Sequence, residues 1–376
     1  MSKAIRGLLT IALSVGAITF PMYAANIFTG SSPTVFVMTN DASKNEVLAY
    51  QRIYNGEFVL KGRVATDGRG SGGTTDPLQS QGSLTLSGDH NLLFAINAGS
   101  GTISSFRLRD GLPILVDQEP TGGAFPVSVA EHNGTVYVLN AGGNGAIVAF
   151  RADGFGHLRQ IRNSTALLTG MNSGGADISV SPNGSTLTVI EKDSNSIDVF
   201  PVNPNGTLGS VVTTHSVTPG VFATNFTPSG QLIVSENQPN GTDVSTISSY
   251  TINANGTITA ISQSLPTLGD GNCWNAITPN GKFVYADNSG TSTIAGFSVG
   301  PKGALTPIGG TIVATYPTGT TNLDMAVSGD GKYLYTLNSG AGSVGIYSIN
   351  SDGTLSNPSD IEGLPKTVGF QGIAAM

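Results

Sequence analysis

An all-β fold, a closed ring of seven four-stranded blades, is what this sequence predicts, and three observations predict it. Turn residues are abundant: 51 Gly and 19 Pro in 376 residues, many in short Asn-Gly and Asp-Gly clusters that punctuate short strands. One strand-and-hairpin unit recurs seven times. The two chain ends read as complementary parts of a single blade. Charged residues are only 11% of the chain, which argues against a disordered or coiled-coil protein.

The N-terminal segment, residues 1–25, carries Lys3 and Arg6, then an apolar run from Gly7 to Phe20, then Pro21 and the small residues Ala24 and Ala25. This is the layout of a Sec-type signal peptide. Its apolar run is shorter than the ~20 residues a membrane span needs. Cleavage followed by secretion, or release into a periplasm, is therefore expected, with no membrane insertion of the mature chain. Residues 26–376 are expected to form one propeller domain. The net charge is −7, and loss of Lys3 and Arg6 makes the mature chain two charges more negative. A nucleic-acid-binding surface is excluded on that charge, and a monomer is expected.

The repeated unit reads [ST]-[IV]-x-x-[FY], followed by a turn with Gly. Copies end at Tyr50, Phe106, Phe150, Phe200, Tyr250, Phe297 and Tyr347. Each aromatic is read as a core residue of a third strand. A second unit precedes it: a strand, a turn and a strand ending in Asn, as in DISVSPNGSTLTVIE and DMAVSGDGKYLYTLN. Together they make four short strands per ~50 residues, the content of one propeller blade. The first blade starts at a second-strand position, Thr34–Asn40, and the chain ends with VGFQGIAAM, an innermost strand lacking partners. That last strand is expected to complete blade 1 and close the ring, which removes open edges. Seven sequons, at Asn133, Asn163, Asn183, Asn205, Asn225, Asn240 and Asn255, are read mostly as turns. Asn-Gly suits a type I′ hairpin.

A functional site is expected on the face where inner strands start and second strands end. Second strands end at Asn40, Asn97, Asn140, Glu191, Asn237, Asn288 and Asn338, a collar in which Glu191 breaks the pattern. Asn in such places commonly bonds local backbone. Inner-strand starts bring Asp177, Trp274, Asn275, Asn322, Asp324 and Gln371. Asp177, Glu191 and Asp324 are the candidate catalytic carboxyls, since acid–base chemistry needs such groups in pairs. Trp274, the single Trp, is a candidate stacking surface, with Asn275, Asn322, Gln371 and Gln238 as ligand-binding amides. The four histidines show no metal-ligand spacing, so neither a metal nor a cofactor is expected. Cys273, the single cysteine, reads as a buried thiol. Gly68–Gly73 lacks the following helix of a nucleotide fingerprint and reads as a mobile upper loop.

The SPNGSTLTV run, the [ST]-[IV]-x-x-[FY] strand and hairpins such as SINSDGTL together resemble the lactonase family of seven-bladed propellers. That family includes enzymes of the 6-phosphogluconolactonase and carboxymuconate cyclase type. The resemblance covers nearly the whole chain after residue 25. It implies a small cyclic ester as substrate, and a site built from a His, two Arg and a Glu. Matched turn to turn, the His falls at Gly174 or Ala176, the first Arg at Phe222, the Glu at Gln238 and the second Arg at Leu323, beside Asp324. None of the charged groups is present. Loss of a buried charge partner commonly costs several kcal/mol. Two readings follow: a non-catalytic or strongly diverged member that binds a small ligand or a protein at the channel mouth, or a lactone hydrolase or isomerase with a rebuilt site.

Overall fold

The computed structural model describes residues 33–238, 241–366 and 369–376. The expected signal segment, and the sequon at Asn240, lie outside them. The described residues form seven antiparallel sheets, each one blade. Their innermost strands are Ile373–Ala375 for blade 1, then Leu84–Leu86, Ala124–His132, Gly175–Val180, Val221–Phe226, Asn272–Ile277 and Asn322–Val327 for blades 2 to 7. In blade 3 the outer edge is split, with Leu158–Gln160 and Ala166–Leu167 both pairing with Ala146–Ala152.

The chain ends meet as the sequence requires. Ile373–Ala375 pairs antiparallel with Val35–Val37, and the Met376 amide donates to the Thr34 carbonyl at 2.9 Å. Second strands such as Leu92–Asn97 are buried at every residue, because a neighbouring blade covers each face. Such strands read as continuous apolar runs instead of alternating ones. Outer strands such as Ile258–Pro266 are only partly covered. The repeated aromatics fill the spaces between blades: Phe106 and Phe297 are fully buried and Tyr50 is 7% exposed.

Most hairpins are not of the expected type I′. Asn133 and Gly134 do both adopt positive φ, 48° and 76°. At Asn183-Gly184, Asn205-Gly206 and Asn255-Gly256 only the glycine does. There the Asn side chain accepts from the residue two positions on; Asn205 Oδ1 takes the Thr207 amide at 3.0 Å. The chain makes a four-residue turn closed by a left-handed glycine, as where the Gly206 amide donates to Asn203. Asn prefers this local bond to a strained φ, so Gly carries the positive φ. The Asn225 sequon is no turn at all: it lies in the inner strand Val221–Phe226.

The expected mobile loop at Gly68–Gly73 is packed. A Cβ on Gly70 would sit 2.2 Å from the Asn40 backbone, and one on Gly68 would sit 2.3 Å from the Asn97 side chain. These glycines permit close approach of two chain segments.

Five of the seven inner strands carry a β-bulge near their starts, between Pro126 and Ser128, Gly175 and Asp177, Val221 and Ala223, Asn272 and Trp274, and Leu323 and Met325. A bulge inserts one residue and re-aims those beyond it. It therefore decides which inner-strand side chains point along the channel.

Candidate functional site

The upper end of the channel, where the inner strands start, is occupied by the chain itself. The connection between blades 1 and 2 runs from residue 66 to 83, whereas blades 2 and 3 are joined by residues 121–123. The surplus length crosses the axis as Asp76–Gly82. Ser80 accepts from the Trp274 indole N–H at 2.9 Å and from the Gln371 amide at 3.0 Å. The Ser80 hydroxyl donates to Val127 at 2.9 Å. Gln81 Oε1 accepts the Asn275 amide at 2.9 Å, and its own N–H reaches Ala176. One short segment thus bonds to the inner strands or their entries in blades 1, 3, 4 and 6.

That segment accounts for several of the candidate residues. Trp274 is 1% exposed, stacked edge-on against Phe222 with ring centres 5.2 Å apart. It is a wall of the plugged channel and offers no surface for stacking a ligand from outside. Gln371 is fully buried; its Oε1 accepts the Leu78 amide at 2.9 Å and its Nε2 donates to Asp76 at 2.7 Å. Asn275 donates to Ser235 at 3.0 Å and accepts from Asn225 at 3.0 Å.

Asp177 and Asp324 lie deeper on the same axis. Asp177 Oδ2 accepts the Thr224 amide at 2.7 Å and its hydroxyl at 3.0 Å, while Oδ1 accepts from Ser128 at 3.3 Å. It ties blades 3, 4 and 5 together. Desolvation pushes its carboxyl up to about 7 against those hydrogen bonds. Asp324 is the bulged residue of blade 7, held at φ 55°. It accepts the Met325 amide at 2.9 Å and the Ile373 amide at 3.3 Å, bridging blade 7 to the closing strand. Desolvation first, then the charges of Asp177 and Asp76, push it up to about 7. Asp76, invisible as a candidate in the sequence, is raised to about 6 by desolvation, which the Gln371 amide opposes. The signal that could have found it was the unusual length and polarity of the 66–83 connection.

The remaining candidates lie elsewhere. Glu191 is fully buried and accepts the Thr169 amide at 2.8 Å and hydroxyl at 2.6 Å. Corresponding Asn residues do the same work: Asn97 accepts the Thr66 hydroxyl and Asn140 that of Thr121, both at 2.6 Å. Asn338 bonds within its own blade to Thr336 and Ser343, whereas at Asn97, Asn140, Glu191 and Asn288 the collar fastens a blade to the adjacent connection. Glu191 does this with an extra charge, which Asp198 offsets: desolvation and then the Glu191 carboxylate push Asp198 up to about 8. Desolvation opposes ionisation of Glu191, but its polar neighbours Asp198, Ser173 and Thr169 outweigh it and hold its pKa down, Thr169 through its amide and hydroxyl hydrogen bonds. In blade 5 the collar position belongs to Glu236, not Asn237, since Glu236 pairs with Thr246 as Asn97 pairs with Thr102. Asn322 donates to Asp287 between blades 6 and 7. Gln238 donates to Thr246 at 3.2 Å, away from the axis.

Cys273 is buried beside Trp274, and desolvation raises its thiol far above the ordinary range, which suppresses nucleophilicity. Among the described residues no three His, Cys, Asp or Glu side chains converge where a metal ion could be held. Among the described residues the hydrogen-bond partners of the Asp76–Gly82 segment include no Arg or His, and the cation whose charge reaches Asp76 is Lys192.

Comparison with known proteins agrees with this architecture. Residues 144–273 match the family model described as Lactonase, 7-bladed beta-propeller. A curated relative, the 6-phosphogluconolactonase of Enterobacter sp. (strain 638), is 28% identical over 236 residues, 60% of this chain and 66% of that protein. Among solved structures, a protein from Lactobacillus plantarum superposes with a TM-score of 0.69 at 18% identity, covering 92% of this chain and 99% of the other. The periplasmic gluconolactonase of Pseudomonas aeruginosa gives a TM-score of 0.67 at 17% identity, covering 91% and 99%. The chain is a seven-bladed β-propeller that resembles the lactonase family over residues 144–273.

Proposed function

We propose that this chain is an exported binding propeller that has lost lactone turnover at the upper channel. The observation that carries this reading is the Asp76–Gly82 segment, which lies where a substrate would enter and engages Trp274, Asn275 and Gln371. Asp177 supports it too, because both its oxygens are held by three blades. A general base needs a lone pair aimed at substrate. The ligand is a small molecule or a protein, and the chain uses no cofactor.

The competing reading is a lactone hydrolase with a rebuilt site. It is favoured by the name of the Enterobacter relative and by two axial carboxyls, Asp177 and Asp324, that titrate near neutrality. Acid release from a panel of five- and six-membered lactones, followed by pH-stat, separates the two. The expected result is no turnover above buffer. Turnover that disappears in the D177N/D324N double variant would establish the hydrolase and end the binding reading.

Export is supported by the charge and apolar pattern of residues 1–25 and by the periplasmic description of the Pseudomonas neighbour. Mass spectrometry of the protein purified from an expressing bacterial cell is expected to show a chain lacking these residues. A chain that keeps them in the cytoplasmic fraction would overturn export.

A further inference from the structure

We propose that the lower half of the channel is a binding site for a small organic cation, an amine carried on an apolar body. The inference rests on the reading of the chain as a binding propeller, and it places the site at the opposite end from the plug.

Below the Asp76–Gly82 segment the axis widens into a cavity of about 340 Å³. That is at the lower end of the ~300–1,000 Å³ typical of small-molecule sites. Its mouth lies at the turns that join inner to second strands, where Pro228 and Pro279 line it. Its walls are the ends of the inner strands, including Leu86, Phe226, Ile277 and Val327. All four are only half-buried: each packs on one side against a cluster between blades, as the alternation of the inner strands predicts, and lines the cavity on the other. Large apolar side chains facing a cavity accept an apolar body.

The inner end of the cavity is polar. Gln81, Asn275 and Asp324 line it, and Asp324 is the single ionisable side chain among the lining residues. Asp324 is 3% exposed. Each of its oxygens accepts one backbone amide, from Met325 and from Ile373. A carboxylate offers about four acceptor sites, so each oxygen retains one. No Lys, Arg or His lines the cavity to pair with it.

The head group follows from these facts. An anion would meet a carboxylate with no cation among the lining residues to offset it. A neutral head leaves that carboxyl to keep its proton, as its desolvation favours. An ammonium supplies both the missing charge and the N–H donors, and charge-assisted bonds of this kind are the strong ones. The net charge of −7 attracts cations and repels anions over the whole surface.

Three ligands with one apolar body test this: cyclohexylmethylamine, cyclohexylmethanol and cyclohexanecarboxylate, each titrated calorimetrically into the full domain at pH 8. The amine is expected to bind at least tenfold more tightly than the alcohol, and the carboxylate not at all. D324N is expected to lose at least tenfold of the amine affinity. Because D324N touches the blade 7 bulge, A326F provides a second variant. Ala326 lines the cavity and is only half-buried, so a larger side chain there fills the space and leaves Asp324 in place. It should abolish amine binding with a near-unchanged melting temperature. Equal binding of amine and alcohol, no amine binding, or amine binding unchanged in both variants would overturn the site. Lactone turnover in the panel above would instead defeat the binding reading, so the two failures are distinguishable.

Discussion

The melting temperature of this protein is expected to rise as pH falls from 8 to 5, the reverse of common acid destabilisation. Asp177 and Asp324 are desolvated inside the ring, and their carboxyls stay protonated up to about 7. In the unfolded chain the same groups ionise near ~4. Between those values the folded state binds more protons than the unfolded state, so stability falls as pH rises. The slope is ~1.4 kcal/mol per pH unit for each such group. The contribution is fully present below the unfolded value and lost on passing through about 7. Asp198, raised to about 8 by desolvation and by Glu191, acts in the same direction. The lower limit of the window is set by carboxyls held down by hydrogen bonds, Asp41 by Ser43 and Asp89 by Ser87; these lose stability as they protonate. The combined effect between pH 8 and pH 5 is several kcal/mol, about 5 °C or more in a chain of this length. Thermal melts at the two pH values measure it, and D177N and D324N should each flatten the difference. A melting temperature that is flat or higher at pH 8 would mean that both carboxyls are ionised inside the fold.

Removal of residues 369–376 should cost the whole ring its cooperative stability. The lost segment buries Phe370, Ile373, Ala374 and Ala375, none more than 7% exposed. Burial of one large apolar side chain is worth ~1.5–3 kcal/mol. The deletion also strips the Thr34–Met38 strand of its inner partner, takes the Ile373 amide from Asp324 and removes the Gln371 anchor of the plug. An open propeller would expose two unpaired edges. The truncated protein is expected to melt more than 10 °C lower or to lack a cooperative transition. An unchanged melting temperature would mean that the closing strand is not what holds the ring.

The candidate site was legible in part. Asp177 and Asp324 were identified from their place at inner-strand starts, and they do lie on the axis. Trp274 was visible as an inner-strand aromatic, but not the direction of its ring. The bulge between Asn272 and Trp274 shifts the side-chain alternation by one residue, and a two-residue period cannot show where an extra residue enters. The collar residue of blade 5 is Glu236 and not Asn237 because the turn before it is one residue shorter: Thr227 bonds to Gln231, where Ser181 bonds to Thr186 in blade 4. Asp76, Ser80 and Gln81 went unnoticed because a coil segment has no periodicity. Their role exists only in bonds to residues such as Gln371, 291 positions away from Ser80.

By itself the sequence determined the number of blades, their four strands, the buried aromatic of each third strand and the closure of the ring. Those features repeat, and each follows from local rules: strand period, turn chemistry and burial of an apolar face. Only the tertiary structure decided what happens on the axis. There seven strands converge, one bulged residue re-aims a side chain, and a single long connection from between blades 1 and 2 fills the upper mouth. Contacts between residues far apart in the chain leave no repeating trace in it. The fold was therefore readable along the sequence, while the site required the ring to be closed.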